Sequence, residues 1–209
     1  MEILDTYAEQ PLTKQVILSL LGKYKRPYDK ISELLKKGEL AVVKRGVYIP
    51  GPNSKAKQTE KFLLANHLSG PSYISLESAM SYWGMIPERV YETTSVSLEK
   101  TILFKTPVGR FRYIKIPLPY YALGIQSIAL TTSQHALIAT PEKAVCDKIV
   151  TSHGLLLRSI QQTKSLLLEN WRMDPALLNQ LDIEKIESWI KDAPKATSLN
   201  ILVKTLQTL

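Results

Sequence analysis

Residues 36–48 read Lys-Lys-Gly-Glu-Leu-Ala-Val-Val-Lys-Arg-Gly-Val-Tyr, and no other stretch restricts the fold of this chain as much. An apolar-periodic helix stops at Gly38. Two short β-prone pieces follow, at 40–43 and 47–49, joined through Lys44, Arg45 and Gly46. Gly46 allows the turn because it tolerates positive φ. A helix followed by a hairpin with a basic tip is the element order of a winged helix-turn-helix, which sets one helix in a DNA groove and another element beside the backbone.

The preceding residues fit the same frame. Val16, Ile17, Leu20 and Leu21 lie on one face of a helix over 13–21. Gly22 ends that helix, and Lys23, Tyr24, Lys25 and Arg26 form a turn. Pro27 suits the first position of the next helix, where its missing N–H costs nothing. In the helix over 27–37, Ile31, Leu34 and Leu35 point inward. Arg26, Lys30, Glu33 and Lys37 form the opposite stripe. A further short helix is expected at 3–7.

Charge is concentrated in this part of the chain. The net charge of the whole sequence is +8, and residues 11–58 alone carry eleven Lys/Arg against three acids, which is also +8. Clustered cations drive nucleic-acid binding through counterion release. A lysine-rich solvated surface would carry the same charge. Within the winged-helix frame, Tyr28, Lys30 and Ser32 start the helix that reaches base edges, with Asp29 beside them. Lys23, Lys25 and Arg26 precede that helix at the phosphates, Lys36 and Lys37 belong to its basic end, and Lys44 and Arg45 occupy the hairpin tip.

Pro50-Gly51-Pro52-Asn53-Ser54 interrupts regular structure. The expected division is therefore a DNA-binding domain over 1–52, a linker over 53–58 and a second domain over 59–209. That second unit shows a helix over 58–68, a strand at 73–74 and a helix over 76–83. Strands follow at 93–97, 102–105, 111–116, 125–130 and 136–139. Thr140 and Pro141 open another helix, and helical patterns run over 155–170, 175–191 and 197–207. The fold class is α+β: an N-terminal winged helix-turn-helix, then a larger mixed α/β domain with a helical C-terminal end.

Catalytic chemistry finds little support. His67, His135 and His153 are scattered without metal-ligand spacing, and the nine glycines form no phosphate loop. Glu142-Lys143 is weakly similar to the acid/lysine pairs of nucleases but lacks partner carboxylates. Cys146, the one cysteine, is expected as a half-buried structural thiol and permits no internal disulfide. The aromatics over 73–121 suit a core. They also suit a binding face, with Tyr120 and Tyr121 as its most exposed pair. No cofactor and no metal are expected. No run of about 18 apolar residues occurs, so no membrane span is expected. The N-terminus lacks the pattern of a signal peptide, and the expected location is cytoplasmic.

Several blocks in one order carry a resemblance to a family. They are Lys25-Arg26-Pro27-Tyr28-Asp29-Lys30-Ile31-Ser32 through Lys44-Arg45-Gly46-Val47-Tyr48, then Gly70-Pro71-Ser72-Tyr73-Ile74-Ser75-Leu76-Glu77-Ser78-Ala79. Tyr82-Trp83-Gly84-Met85-Ile86-Pro87-Glu88-Arg89-Val90, Phe104-Lys105-Thr106-Pro107-Val108-Gly109 and Ala136-Leu137-Ile138-Ala139-Thr140-Pro141-Glu142-Lys143-Ala144 complete the set. Over about residues 11–150 the chain resembles the AbiEi antitoxins of type IV toxin–antitoxin systems. The resemblance implies a bacterial abortive-infection antitoxin linked to phage defence. Its N-terminal domain would bind inverted repeats in double-stranded promoter DNA and repress transcription. Its second domain would oppose a nucleotidyltransferase-type toxin without a stable complex. The alternatives are a stand-alone winged-helix regulator, a protein-interaction module and a nuclease.

Overall fold

The computed structural model describes residues 10–209. The helix expected at 3–7 lies outside the described residues. The chain begins with β1 (Leu12–Thr13), α1 (Lys14–Leu20), α2 (Pro27–Lys36), β2 (Leu40–Lys44) and β3 (Val47–Pro50). These strands form an antiparallel sheet in the order β1-β3-β2. Thr13 caps α1 by accepting from the Val16 amide at 3.3 Å. Gly38 ends α2 in a Schellman turn: its amide donates to Leu35, and the Glu39 amide donates to Leu34 at 3.0 Å. The φ of +68° at Gly38 explains the glycine there. Leu12, Ile17, Leu21, Ile31, Leu34 and Leu40 close a small core between the helices and this sheet.

The hairpin belongs to two cores. Val42 pairs with Tyr48 and Lys44 with Val47, so Val43 is the extra residue of a bulge. A bulge re-aims side chains along the strand. Leu40 packs into the small core, whereas Val43 and Ile49 join the large core of the following residues. Residues 51–60 contain no helix or strand, yet they are held in place. The Gly51 amide donates to Glu39, the Asn53 amide to Gly38, and the Asn53 side chain to the Lys37 carbonyl at 2.8 Å. A Cβ on Gly51 would lie 2.2 Å from the Gly38 oxygen, so this approach requires glycine.

The larger unit is built on a six-stranded mixed sheet. It comprises β4 (Ser72–Ile74), β5 (Glu92–Ser97), β6 (Ile102–Thr106), β7 (Gly109–Lys115), β8 (Ile125–Ala129) and β9 (His135–Ala139), in the order β6-β7-β5-β4-β9-β8. The β4–β9 and β5–β7 pairs are parallel and the others antiparallel. Alternation along the strands separates two faces. Tyr113, on one face, donates to the Ala65 carbonyl of α3 (Lys61–Leu68). Tyr73, on the other, meets α5 (Pro141–Thr151), and α4 (Leu76–Tyr82) lies beside α5.

The C-terminal end is helical but more divided than the sequence pattern suggests. The expected helix over 155–170 begins at α6 (Ile160–Ser165), where Ser159 accepts from the Gln162 amide, and widens into a π turn over Leu166–Asn170. The expected helix over 175–191 is two helices, α7 (Pro175–Leu178) and α8 (Ile183–Trp189). Asp182 separates them by capping α8 through the Lys185 amide at 3.1 Å. Such a cap starts a new helix inside a periodic stretch. The last helix is α9 (Ala196–Leu206). Among the described residues, no helix is long and apolar enough to cross a membrane.

A charged pair lies inside the large core. The side chains of Lys143 and Asp147 are both 0% exposed, and Lys143 Nζ lies 3.1 Å from Asp147 Oδ1. Lys143 also donates to the Tyr120 carbonyl at 2.8 Å and lies over the Tyr120 ring. Asp147 Oδ2 accepts from Tyr73 at 2.9 Å and from Ser75 at 2.7 Å. Burial pushes Asp147 up and Lys143 down, each towards its neutral form. These bonds offset part of a desolvation cost of several kcal/mol per ion. Tyr120 and Tyr121 are buried, not exposed as expected: they lie on a 3₁₀ turn packed over Lys143 and Tyr73. Cys146 is fully rather than half buried.

Candidate nucleic-acid interface

The first two helices and the hairpin meet at one point. The Lys14 amide, at the start of α1, donates to the Gly46 carbonyl at 3.0 Å, so the hairpin tip abuts that helix. Gly46 has φ +83°, as the turn requires. The Lys14 ammonium lies 4.8 Å from the centre of the Tyr28 ring. Arg45, Lys14 and Tyr28 thus run in sequence from the hairpin tip to the start of α2. Arg45 and Lys14 are exposed, and Tyr28 is 57% exposed. The sequence pattern does not single out Lys14, which lies nine residues before the basic turn; the β1–β3 pairing brings it to the tip.

The expected DNA-contacting side chains divide into two groups. Lys23, Lys25, Lys36 and Arg45 are exposed, and none makes an ion pair among the described residues. Arg26 is loosely paired with Asp29 at 3.7 Å, both largely exposed. Tyr28, Ser32 and Lys36 recur at steps of four, which makes one outward strip of α2, and Lys25 lies in the turn before it. Ser32 donates its hydroxyl back to the Tyr28 carbonyl at 3.1 Å.

Lys30, Lys37 and Lys44 are held by the protein itself. Glu33 binds Lys37 at 2.6 Å and Lys30 at 3.0 Å. Hydrogen bonds from these two lysines lower the Glu33 pKa, and Glu33 in turn raises that of Lys37. The Lys30 side chain is only 17% exposed and lies beside the Tyr24 ring. The expected stripe therefore exists but is largely self-neutralised. Lys44 is turned inward: it donates to the Leu68 carbonyl at the end of α3 and lies 4.8 Å from the Phe104 ring centre. A cation is favourable beside the last carbonyls of a helix. At the hairpin tip, Arg45 is the exposed cation.

Glu142 and Lys143 line no surface. Glu142 accepts from the Asp182 amide at 3.2 Å and so anchors the start of α8, while Lys143 serves the buried pair. No three His, Cys, Asp or Glu side chains among the described residues are placed to hold a metal ion.

No family model matches this sequence, and no curated protein matches it. Among solved structures, the chain is similar to the crystal structure of RV2827C protein from Mycobacterium tuberculosis. The TM-score is 0.63 at 16% identity, covering 97% of this chain and 74% of that one. The likeness is one of fold, and it extends across the N-terminal helices, the hairpin and the mixed sheet together.

Proposed function

We propose that this chain is a DNA-binding transcriptional repressor whose first unit is a winged helix-turn-helix. The observation that carries this reading is the set of exposed residues Arg45, Lys14, Tyr28, Lys25 and Lys36, in which the hairpin tip is joined to α1 by the Lys14–Gly46 hydrogen bond and α1 to α2 by the Lys14–Tyr28 contact. In this reading α2 enters the major groove with Tyr28 and Ser32 at base edges. Lys23, Lys25 and Arg26 meet phosphates, and Arg45 contacts the adjoining backbone.

The wider role, as the antitoxin of a type IV system that opposes a nucleotidyltransferase-type toxin, rests on the AbiEi resemblance. The promoter inverted repeats expected as its operator rest on the same ground. A gel shift with the upstream region of its own gene tests the DNA-binding reading. Five phosphate contacts, from Lys14, Lys23, Lys25, Arg26 and Arg45, give a log–log salt slope of about −4 to −5. Absence of a shift at low salt would refute it. Growth rescue on co-expression with an adjacent nucleotidyltransferase gene tests the antitoxin role separately.

A further inference from the structure

On the sheet face away from α3, a cleft of about 710 Å³ opens between β5, β7, α4 and α5. Its size falls within the range of small-molecule sites, about 300–1,000 Å³. Leu76, Met80, Ile86, Val90 and Ile114 supply an apolar lining, with Trp171 and Tyr91 as the aromatic members. Tyr91 is 81% exposed. None of these residues belongs to the basic surface of α2 and the hairpin.

Backbone strain coincides with this cleft. Among the described residues, Leu76 and Arg172 are the non-glycine residues with positive φ, at 56° and 49°. Leu76 lines the cleft. Arg172 follows Trp171 directly and pairs at 3.3 Å with Glu88, another lining residue. Strained backbone gathers where a surface holds a set shape for a ligand.

The charges define the ligand. Glu77, Glu88 and Glu92 face the cleft together with Arg89, Arg112 and Lys148, so its formal charge is balanced. Glu92 is held by Arg110 and Arg112, and Glu77 by Lys148. Arg112 engages Glu92 through Nε, leaving its terminal amino groups to receive a carboxylate. Glu77 uses Oε1 for Lys148, leaving Oε2 to accept from an ammonium. A nucleotide or other polyanion would meet no excess of positive charge here.

We propose that this cleft binds a small zwitterion with an apolar side chain, the chemistry of hydrophobic amino acids and dipeptides. Its carboxylate lies against Arg112, its ammonium against Glu77 and its side chain on the apolar lining beside Trp171. The test is isothermal titration calorimetry of the full chain with leucyl-phenylalanine, with adenosine monophosphate as the competing chemistry. The dipeptide should bind saturably at millimolar concentration or below. Arg112→Gln should weaken it at least tenfold, and Thr151→Trp, which fills the cleft from α5, should abolish it. DNA binding by both variants should be unchanged, which separates this site from the repressor reading. Should Arg112→Gln fail to fold, Thr151→Trp carries the test. No saturable heat with the dipeptide, equal affinity in wild type and the folded variants, or tighter binding of adenosine monophosphate would each overturn the proposal.

Discussion

The Lys44 ammonium lies 4.8 Å from the centre of the Phe104 ring and donates to the carbonyl of Leu68, which ties the hairpin to the larger unit. Its neighbour Arg45 points to solvent. Two adjacent cations therefore do different work. Lys44→Ala should lower stability by about 2–4 kcal/mol, the net contribution of a charged hydrogen bond plus a ring contact. It should leave the salt dependence of DNA binding unaltered. Arg45→Ala should instead reduce the slope by about 1 with little change in stability. Urea unfolding and filter binding over a salt series distinguish the two, and a changed slope for Lys44→Ala would contradict this assignment.

Lys14 and Tyr28 are the second coupled pair. Lys14→Ala should reduce the salt slope by about 1 through loss of a phosphate contact. Tyr28→Ala should alter base preference, with a cost of roughly 1–3 kcal/mol on the preferred operator and little on random DNA. Competition binding against a randomised operator pool measures both effects.

Glu33 restrains the basic face. Glu33→Gln removes an acid and unties Lys30 and Lys37, so non-specific DNA affinity should rise at low salt. The same residue gives a pH dependence. Its folded pKa is lowered from 4.5, so its contribution to stability is present above that value and is lost as pH falls through the folded one. Thermal melting of wild type and Glu33→Gln should therefore diverge at neutral pH and converge in acid.

Asp147 faces Lys143, Tyr73 and Ser75 with no access to solvent. Removing one partner strands the other, and Asp147→Ala should cost about 3–5 kcal/mol. Replacing both, as Lys143→Met with Asp147→Leu, should cost less than the two single changes added together. Equilibrium urea unfolding of the four proteins gives the coupling. Additive losses would mean that the pair is not energetically linked.

Much of the N-terminal architecture was legible in sequence because its signals are local. Pro27 at a helix start, Gly38 at a helix end and Gly46 at a turn each act on their immediate neighbours, and α2, β2 and β3 lie where those residues place them. The Thr140-Pro141 helix start and the hairpin near Gly109 were legible for the same reason. The helical tail was less so, since apolar periodicity continues through the break that Asp182 imposes between α7 and α8.

The sequence alone determined the element types over residues 14–50, the α+β class and the concentration of positive charge in residues 11–58. Helical spacing pairs Lys30 and Lys37 with Glu33, whereas tertiary structure decided that Lys44 turns inward. Lys30, Lys37 and Lys44 have the same side chain as Lys23, Lys25 and Lys36. Only the first three meet a carboxylate, an aromatic ring or a helix-end carbonyl. Phe104 and Leu68 are 60 and 24 residues from Lys44, and a local pattern carries no record of a side-chain contact between the two units at that distance. The same holds for Lys143, whose charge would suit a surface and whose place is the core.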